Sequence, residues 1–291
     1  MIIGTRGSRL ALAQTELFVE RFKGHFPDEE VEVRIVKTTG DKVTDRPLGS
    51  LGGYGAFVKE LEQQLLEGNV DVVVNSLKDM PVDSTDGTGI CAVLPRGPVE
   101  DVILPNIALD DLPPGARVGT SSVRRAAMLL NRRSDLEMVD IRGNVPTRIR
   151  KMKEGKYDAI VLARAGLLRL NLEEEYRLLD PQIFVPAPGQ GAIAAVCRNG
   201  DPIASMVRTV DHPPTSREVD LERKVLRLLG GGCSVPIGIL AISTSVAIRM
   251  LAAALSPDGR KCVRLDEVLG FEEIEDKLES IVHRLRRGLE I

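Results

Sequence analysis

A lone cysteine on a glycine-rich loop is the first residue of this sequence that could carry chemistry. In LLGGGCSVPIG, three glycines precede Cys233, and a proline and another glycine follow it. Cysteines that only pack lie among aliphatic side chains, whereas this thiol has almost no side chains before it. Positive surroundings stabilise a thiolate, so Cys233 is a candidate nucleophile or attachment point. Cys91, Cys197 and Cys262 lie in apolar or strand-like stretches and are interpreted as packing residues.

Arginines at the ends of apparent strands are the second chemical signal. A guanidinium group pairs bidentately with a carboxylate or phosphate, and helix N-termini donate further N–H groups. Solvated surface charge is the alternative, and it suffices for Arg132, Arg133 and Arg150. It explains poorly the arginines beside Gly-Thr and Arg-Gly-Asn turns, which predict a site for a small polyanion. The candidates are Arg6, Arg9, Arg124, Arg125, Arg142, Arg148, Arg164 and Arg169.

An aspartate follows one of the strands that must position these groups. The apolar run VDVVVNS leads into LKDMP, which places Lys78 and Asp79 at the carboxyl end of the strand, before a proline. An aspartate there can act as a general acid/base, with the neighbouring lysine to balance its charge. A turn-capping aspartate is the alternative, and the residues alone leave both interpretations open.

Two parts of the sequence repeat one pattern of strands and helices. MIIGTRGSRLALAQ and ARVGTSSVRRAAML each predict a strand, a Gly-Thr turn and a helix, and aligning Gly4 with Gly119 also aligns Arg9 with Arg124. AFVKELEQQLLEG and TRIRKMKEG each predict a helix that ends at glycine before an apolar-Asp-apolar strand. Chance similarity is the alternative. A true repeat predicts two α/β lobes with parallel sheets, which bind ligands at the carboxyl ends of their strands.

The remaining segments complete the predicted architecture. The first copy contains an insertion, GDKVTDRPLGSLGGYGAF, in which LGSLGGYG lacks the nucleotide P-loop pattern and is interpreted as a mobile lid or a plain surface loop. After residue 211, a helix, strands within LAISTSVAIRMLAAALS and a final helix predict a small C-terminal α+β domain. That final helix has one apolar stripe, formed by Ile274, Leu278, Ile281 and Leu285.

Composition excludes several classes of protein. The 291 residues are 43% hydrophobic and carry a formal net charge of −3, with six Phe, three Tyr and no Trp. A nucleic-acid binder using the basic segment 117–153 is therefore disfavoured, because it would have few aromatic side chains for base stacking. Four scattered cysteines and three scattered histidines predict no metal site. With no long apolar run and no signal-peptide core, we expect a cytoplasmic protein without a membrane partner.

Eight motifs occur in one order between residues 4 and 238. They are GTRGSRLALAQ, FVKELE, NSLKDMPV, VGTSSVRRAAML, IRGNVPTR, AGLLRL, PAPGQGAIA and GGGCSVPIG. In this combination the sequence resembles the hydroxymethylbilane synthase family, also called porphobilinogen deaminase. The resemblance implies a transferase that joins four porphobilinogen molecules head to tail, releases ammonia and forms linear hydroxymethylbilane for tetrapyrrole (haem or porphyrin) biosynthesis. It also implies two lobes of the anion-binding-protein type. A monomer is our default expectation for the oligomeric state.

The same resemblance assigns roles to individual residues. It implies that Cys233 bears a dipyrromethane cofactor through a thioether and that Asp79 is the general acid/base. Asn75 stands where the family often has histidine, so no proton transfer is assigned to it, and Pro188 is an additional proline. The residues implied to bind substrate or cofactor carboxylates are Arg6, Ser8, Ser76, Lys78, Thr120, Ser121, Ser122, Arg124, Arg125, Arg142, Arg148, Arg169, Gln190 and Gly191.

The resemblance further sets the expected domain limits. Domain 1 is discontinuous, with residues 1–92 and 193–210, domain 2 contains residues 98–187, and domain 3 contains residues 215–291. The competing function is that of a two-lobed protein that binds small anions without catalysis. Such a protein would need the paired lobes and the arginines, but neither Cys233 on its glycine loop nor Asp79.

Overall fold

The structure is a computed structural model that describes residues 1–38, 58–230 and 235–289. Two of the sequence predictions, the role of Cys233 and the lid LGSLGGYG, concern residues outside these ranges.

The chain divides into two compact units, each built from two segments. The first unit contains Met1–Gly97 and Gly189–Arg217, and the second contains Pro98–Pro188 and Glu218–Ile291. The boundary after Gly97 lies between residue 92, the predicted end of the first segment of domain 1, and residue 98, the predicted start of domain 2. The expected third domain lies almost entirely in the second unit, and the division into three domains stays a prediction.

The elements alternate between strands and helices through both units. The first are β1 (Ile2–Arg6), α1 (Arg9–His25), β2 (Glu32–Val36), α2 (Lys59–Leu66), β3 (Val72–Ser76) and β4 (Thr88–Val93). Next come β5 (Asp101–Leu104), β6 (Arg117–Gly119), α3 (Val123–Arg132), β7 (Glu137–Val139), α4 (Val145–Lys153), β8 (Ala159–Ala163), α5 (Arg164–Arg169) and β9 (Arg177–Leu178). The last are β10 (Ile193–Arg198), α6 (Ile203–Arg208), α7 (Pro213–Leu228), β11 (Ile237–Ser243), β12 (Ala247–Leu255), β13 (Cys262–Gly270) and α8 (Ile274–Leu289).

Two five-stranded sheets, one in each unit, have the same topology. Their strand orders are β2-β1-β3-β10-β4 and β7-β6-β8-β5-β9. In each sheet the first three strands are parallel, as the sequence predicts. The fourth strand, β10 or β5, is antiparallel to both of its neighbours, so each sheet is mixed and the prediction of parallel sheets is right for the first three strands only. Each antiparallel strand comes soon after the chain has passed from one unit to the other, which sequence periodicity does not reveal.

Matching hydrogen bonds establish that the sequence repeat is a structural one. Asp71 accepts a 2.7 Å hydrogen bond from the backbone N–H of the first residue of β1, and Asp158 accepts one of 2.7 Å from the first residue of β6. Helices α2 and α4 are both followed by a glycine with a φ of +76°, Gly68 in one copy and Gly155 in the other. Glycine readily adopts this left-handed conformation at a helix C-terminus. Chance similarity therefore does not explain the repeat.

The C-terminal segment forms a three-stranded antiparallel sheet in the order β11-β12-β13. Leu240 and Leu251 on this sheet pack in one core with Met128 of α3. A different set of buried side chains from the same sheet packs against α8, whose buried stripe contains Leu278, Ile281 and Leu285. The predicted apolar stripe and the α+β character of this segment are confirmed.

The described residues contain neither a membrane-spanning helix nor a cluster of metal-binding side chains. None of the helices there is both long and apolar enough to cross a membrane. Within the same ranges, no three His, Cys, Asp or Glu side chains come close enough together to hold a metal ion.

Candidate active site

In the first unit the candidate residues lie at the sheet edge where β1 and β3 end. The two strands are parallel neighbours, so Arg6, which ends β1, and Ser76, which ends β3, lie at the same edge. Strand β10 begins at this edge, with Ile193 opposite Ser76. The fold therefore brings together one group of sequence-predicted residues: Arg6, Ser8, Ser76, Lys78, Asp79, Gln190 and Gly191.

Asp79 is held on a short 3-10 turn directly after β3. The turn contains Leu77–Asp79, and the buried side chains of Leu77 and Met80 anchor it on both sides. The side chain of Asp79 itself is half-buried. No side chain or backbone N–H of the described residues donates a hydrogen bond to its carboxylate. A turn-capping aspartate would accept such a bond, so this geometry favours the acid/base interpretation.

The PAPGQG stretch packs against the turn that carries Asp79. Lys78 Nζ donates a hydrogen bond to Gln190 Oε1 at 3.3 Å, and Arg96 Nε donates one to the backbone oxygen of Gln190 at 3.0 Å. Gln190 is fully buried. Gly189 has a φ of +73°, and a Cβ there would lie 3.1 Å from Leu77 Cγ and 3.2 Å from Lys78 N. Glycine is therefore needed for this close approach.

Two serines at this edge take part in local hydrogen bonds. Ser8 caps α1, and its Oγ accepts a 3.2 Å hydrogen bond from Ala11 N–H. Ser76 Oγ accepts a 2.6 Å bond from Gln14 Nε2. Each hydroxyl keeps its own hydrogen for donation to a ligand. Asn75 is buried, and its Nδ2 has no hydrogen-bond partner among the described residues.

In the second unit the candidate residues lie at the corresponding edge, where β6, β7 and β8 end. Thr120 N–H donates a 3.0 Å hydrogen bond to the backbone oxygen of Val139. Ser121 Oγ donates a short hydrogen bond to the backbone oxygen of Ile141. Ser122 caps α3 by accepting a hydrogen bond from Arg125 N–H at 3.4 Å. The TSS sequence thus ties the end of β6 to the segment that follows β7.

Arg124 and Arg125 are buried at the start of α3 and share one carboxylate. Arg124 Nη2 donates to Asp101 Oδ2 at 2.7 Å, while Arg125 Nε and Nη2 donate to Asp101 Oδ1 at 3.0 and 2.8 Å. Their Nη1 atoms donate to backbone oxygens, Arg124 to Val185 at 2.8 Å and Arg125 to Val161 at 3.1 Å. Their assignment to ligand carboxylates stays a prediction, with a protein carboxylate already between them.

The sequence alignment of Arg9 with Arg124 does not hold in the helices. Ser8 caps α1, so Arg9 is its first residue, whereas Ser122 caps α3 and makes Arg124 its second residue. Arg9 is exposed and Arg124 is buried. The turn of the second copy is one residue shorter, which a gap-free alignment cannot represent.

Three further arginines follow β7 and β8. Arg142 is half-buried, and its Nη1 is buried without a hydrogen-bond partner among the described residues. Arg148 Nε donates to the backbone oxygen of Gly143 at 2.8 Å. Burial lowers the pKa of Arg169, at the end of α5, to about 10. A cation held away from water gains from an anionic ligand, so Arg169 has the properties expected of a carboxylate-binding residue.

Polycarboxylate groups match the donors at this edge. Arg124 Nε and Arg142 Nη1 are both buried nitrogen atoms that lack an acceptor among the described residues. Leaving such a donor unsatisfied costs roughly 1–3 kcal/mol, and a ligand carboxylate would supply the missing acceptor. The donor set therefore fits a dipyrromethane, whose pyrrole rings each carry two carboxylates.

The cysteines outside the glycine loop occupy packed positions. Cys197 on β10 is fully buried in the core of the first unit. Cys91 on β4 is half-buried, and a hydrogen bond from Cys197 lowers the pKa of the Cys91 thiol to about 7. Burial raises the pKa of Cys262. These positions agree with the packing interpretation.

Asp101 is the site residue that sequence reasoning missed. It begins β5 in the stretch EDVIL, for which the sequence predicts no functional role. One signal was present, because this acid directly precedes three buried apolar residues, where a carboxylate needs a partner. The two adjacent arginines that need a counter-charge follow more than twenty residues later, and only the fold brings them together.

Family models match nearly the whole chain. Residues 1–205 match the model described as "Porphobilinogen deaminase, dipyromethane cofactor binding domain", and residues 216–285 match "Porphobilinogen deaminase, C-terminal domain". A probable porphobilinogen deaminase of Methanosarcina acetivorans is 44% identical over 98% of this chain and 91% of its own length. The porphobilinogen deaminase of Thermus thermophilus is 44% identical over 96% of each chain.

Solved structures of binding proteins are more distant. The second substrate binding domain of a putative amino acid ABC transporter from Streptococcus pneumoniae is similar to 79% of this chain and 94% of its own, at 11% identity and a TM-score of 0.43. The assignment of two similar α/β lobes rests on the matching sheets of the two units and not on this likeness.

Proposed function

The chain belongs to the porphobilinogen deaminase family, and from this premise we propose that it is a hydroxymethylbilane synthase. It joins four porphobilinogen molecules head to tail, releases ammonia at each condensation and finally releases linear hydroxymethylbilane by hydrolysis. The observation that carries the proposal is the carboxylate of Asp79, half-buried at the end of β3 with no hydrogen-bond donor among the described residues. In a protein that only binds anions, a carboxylate at this position would repel the ligand.

Asp79 acts as the general acid/base in this proposal. It donates a proton to the leaving amino group of porphobilinogen and accepts one from the pyrrole carbon when the new bond is complete. The buried residues Leu77 and Met80 fix the turn, and the Lys78–Gln190 hydrogen bond holds the neighbouring cation in place. Asp79 can therefore exchange protons without losing its position.

The arginines bind the acetate and propionate groups. A guanidinium group remains protonated at any physiological pH, so each one supplies a fixed positive charge to a chain that gains two carboxylates per ring. Buried donors such as Arg124 Nε and Arg142 Nη1 favour ligands that carry a carboxylate at the matching position, because only such a ligand supplies the acceptor that these atoms lack. Arg6, Lys78 and Arg169 complete the cationic set.

Cys233 attaches the dipyrromethane cofactor, which when bound supplies the primer to which the first porphobilinogen is joined. The family model that covers residues 1–205 is described as a dipyrromethane cofactor binding domain. Because glycine has no side chain, a run of three glycines before Cys233 suits the attachment of a bulky group to its sulfur. We further propose that the protein is a cytoplasmic monomer.

Ammonia release separates this proposal from a two-lobed anion-binding protein. Purified protein is incubated with porphobilinogen, and ammonia and linear tetrapyrrole are measured in the same samples. The synthase releases four molecules of ammonia for each tetrapyrrole, and the Cys233→Ala variant releases neither product. If porphobilinogen binds but no ammonia appears, the protein is an anion binder and the proposal is wrong.

A further inference from the structure

The carboxylate of Asp101 fixes two guanidinium groups at once. Asp101 is 1% exposed, and each of its oxygens accepts from a different arginine, Oδ2 from Arg124 and Oδ1 from Arg125. At their other ends, both guanidinium groups are fastened to backbone oxygens of the same unit. Neither arginine can change its rotamer without breaking a charge-assisted hydrogen bond to Asp101, and such bonds are the stronger kind.

Asp101 also sets the charge of this cluster. Two arginines carry two positive charges, and the ionised carboxylate cancels one of them. The described residues contain no other carboxylate that pairs with either arginine. The cluster therefore presents one net positive charge, which one ligand carboxylate neutralises.

One donor of the cluster is left for that ligand. Arg124 Nε is buried and has no hydrogen-bond partner among the described residues, although its Nη1 and Nη2 atoms are both engaged. The engaged nitrogens determine the plane of the guanidinium group and hence the direction in which the Nε–H points. The carboxylate of Asp101 thus controls the orientation of Arg124 Nε–H, although it accepts no hydrogen bond from that atom.

We propose that Asp101 is a positioning residue for cofactor assembly, which fixes Arg124 and Arg125 so that the pair accepts a single carboxylate of the primer. This inference rests on the proposed function. Removing the carboxylate leaves two like charges buried side by side, which forces the guanidinium groups apart and removes the fixed donor. The protein then loses its primer, because the pair no longer presents that donor.

The test is the Asp101→Asn variant, with Asp135→Asn as its matched control. Asp135 likewise accepts two hydrogen bonds from one arginine, Arg133, both at 2.8 Å, but it is 41% exposed and at the other end of α3. Each variant is purified after incubation with porphobilinogen, and folded monomer is isolated by gel filtration. Intact mass then gives the fraction of folded molecules that carry the primer, and a thermal scan gives their stability.

We expect folded Asp101→Asn protein to carry less than a tenth of the primer found on wild type, and Asp135→Asn to be loaded fully. A purely structural role would lower the melting temperature of Asp101→Asn and leave its folded molecules loaded, which would overturn the inference. If Asp101→Asn yields no folded protein, Asp101→Glu decides, since it keeps the charge but displaces the carboxylate. Partial loading of Asp101→Glu supports positioning, and full loading with an unchanged KM for porphobilinogen contradicts it. Wild type without any adduct would instead refute the proposed function.

Discussion

The backbone conformation of Gly189 is directly linked to the position of the turn that carries Asp79. Its φ of +73° is one that alanine adopts only at a cost of about 1–2 kcal/mol. The added Cβ would also lie 3.1 Å from Leu77 Cγ and 3.2 Å from the backbone nitrogen of Lys78, below the 3.4 Å at which ordinary contact begins. The Gly189→Ala substitution therefore strains the loop and pushes the turn that carries Asp79.

The geometry gives a magnitude for each effect. The strain should lower the melting temperature by about 2–8 °C. To relieve the contact the turn must move by 0.2–0.3 Å. Since a misplacement of about 1 Å can cost roughly a hundredfold in rate, this shift should lower kcat by roughly threefold.

Gly68→Ala is the matched control for this prediction. Gly68 has a φ of +76° in the same unit, but no described atom lies within 4 Å of the Cβ position. Both variants should lose similar stability in a thermal scan, and only Gly189→Ala should lose turnover in an assay of ammonia release. Equal kcat values for the two variants would mean that the contact with the turn does not position Asp79.

Three further predictions concern the site and its surroundings. Asp79→Asn should bind a primer that is supplied preassembled, but its rate should fall by about 10²–10⁴-fold because an amide cannot transfer the proton. If the ammonia assay shows a loss of less than tenfold, Asp79 has only a structural role in the turn. Arg124→Leu should reduce primer loading, whereas Arg169→Leu should carry the primer but elongate it more slowly, and each affected step should fall by roughly ten- to a hundredfold. Intact mass shows how many rings each variant has added, and the same pattern of added rings in both variants would refute the distinction. A hydrogen bond from Cys197 lowers the pKa of Cys91 to about 7, so alkylation of Cys91 by iodoacetamide should increase with pH around a midpoint near pH 7. The buried Cys197 should stay unmodified, and peptide mapping measures both cysteines. A midpoint near pH 9 for Cys91 would contradict this prediction.

The repeated lobes could be predicted from the sequence because their signals are local. Gly68 and Gly155 end helices, and Asp71 and Asp158 begin the next strands, so each signal lies within a few residues of the element it defines. The placement of Asp79 at the end of a strand was read in the same way, from VDVVVNS followed by LKDMP.

The features that sequence reasoning missed depend on long-range contacts. The antiparallel strands β5 and β10 pair with β8 and β3, which are distant in the sequence. The partnership of Asp101 with Arg124 and Arg125 likewise joins residues that no motif or periodicity connects. The turn before the cap Ser122 is one residue shorter than the turn before the cap Ser8, and an alignment without a gap cannot show this difference.

The central claim is that the thiol on the glycine-rich loop carries the primer of a chain-building enzyme. Intact mass of the purified wild-type protein, followed by peptide mapping, tests this claim most directly. The account predicts a mass greater than that of the sequence by two condensed porphobilinogen units, located on Cys233, and neither adduct nor product for Cys233→Ala. An active wild-type protein with the bare mass of its sequence, or with the adduct on another cysteine, would contradict it.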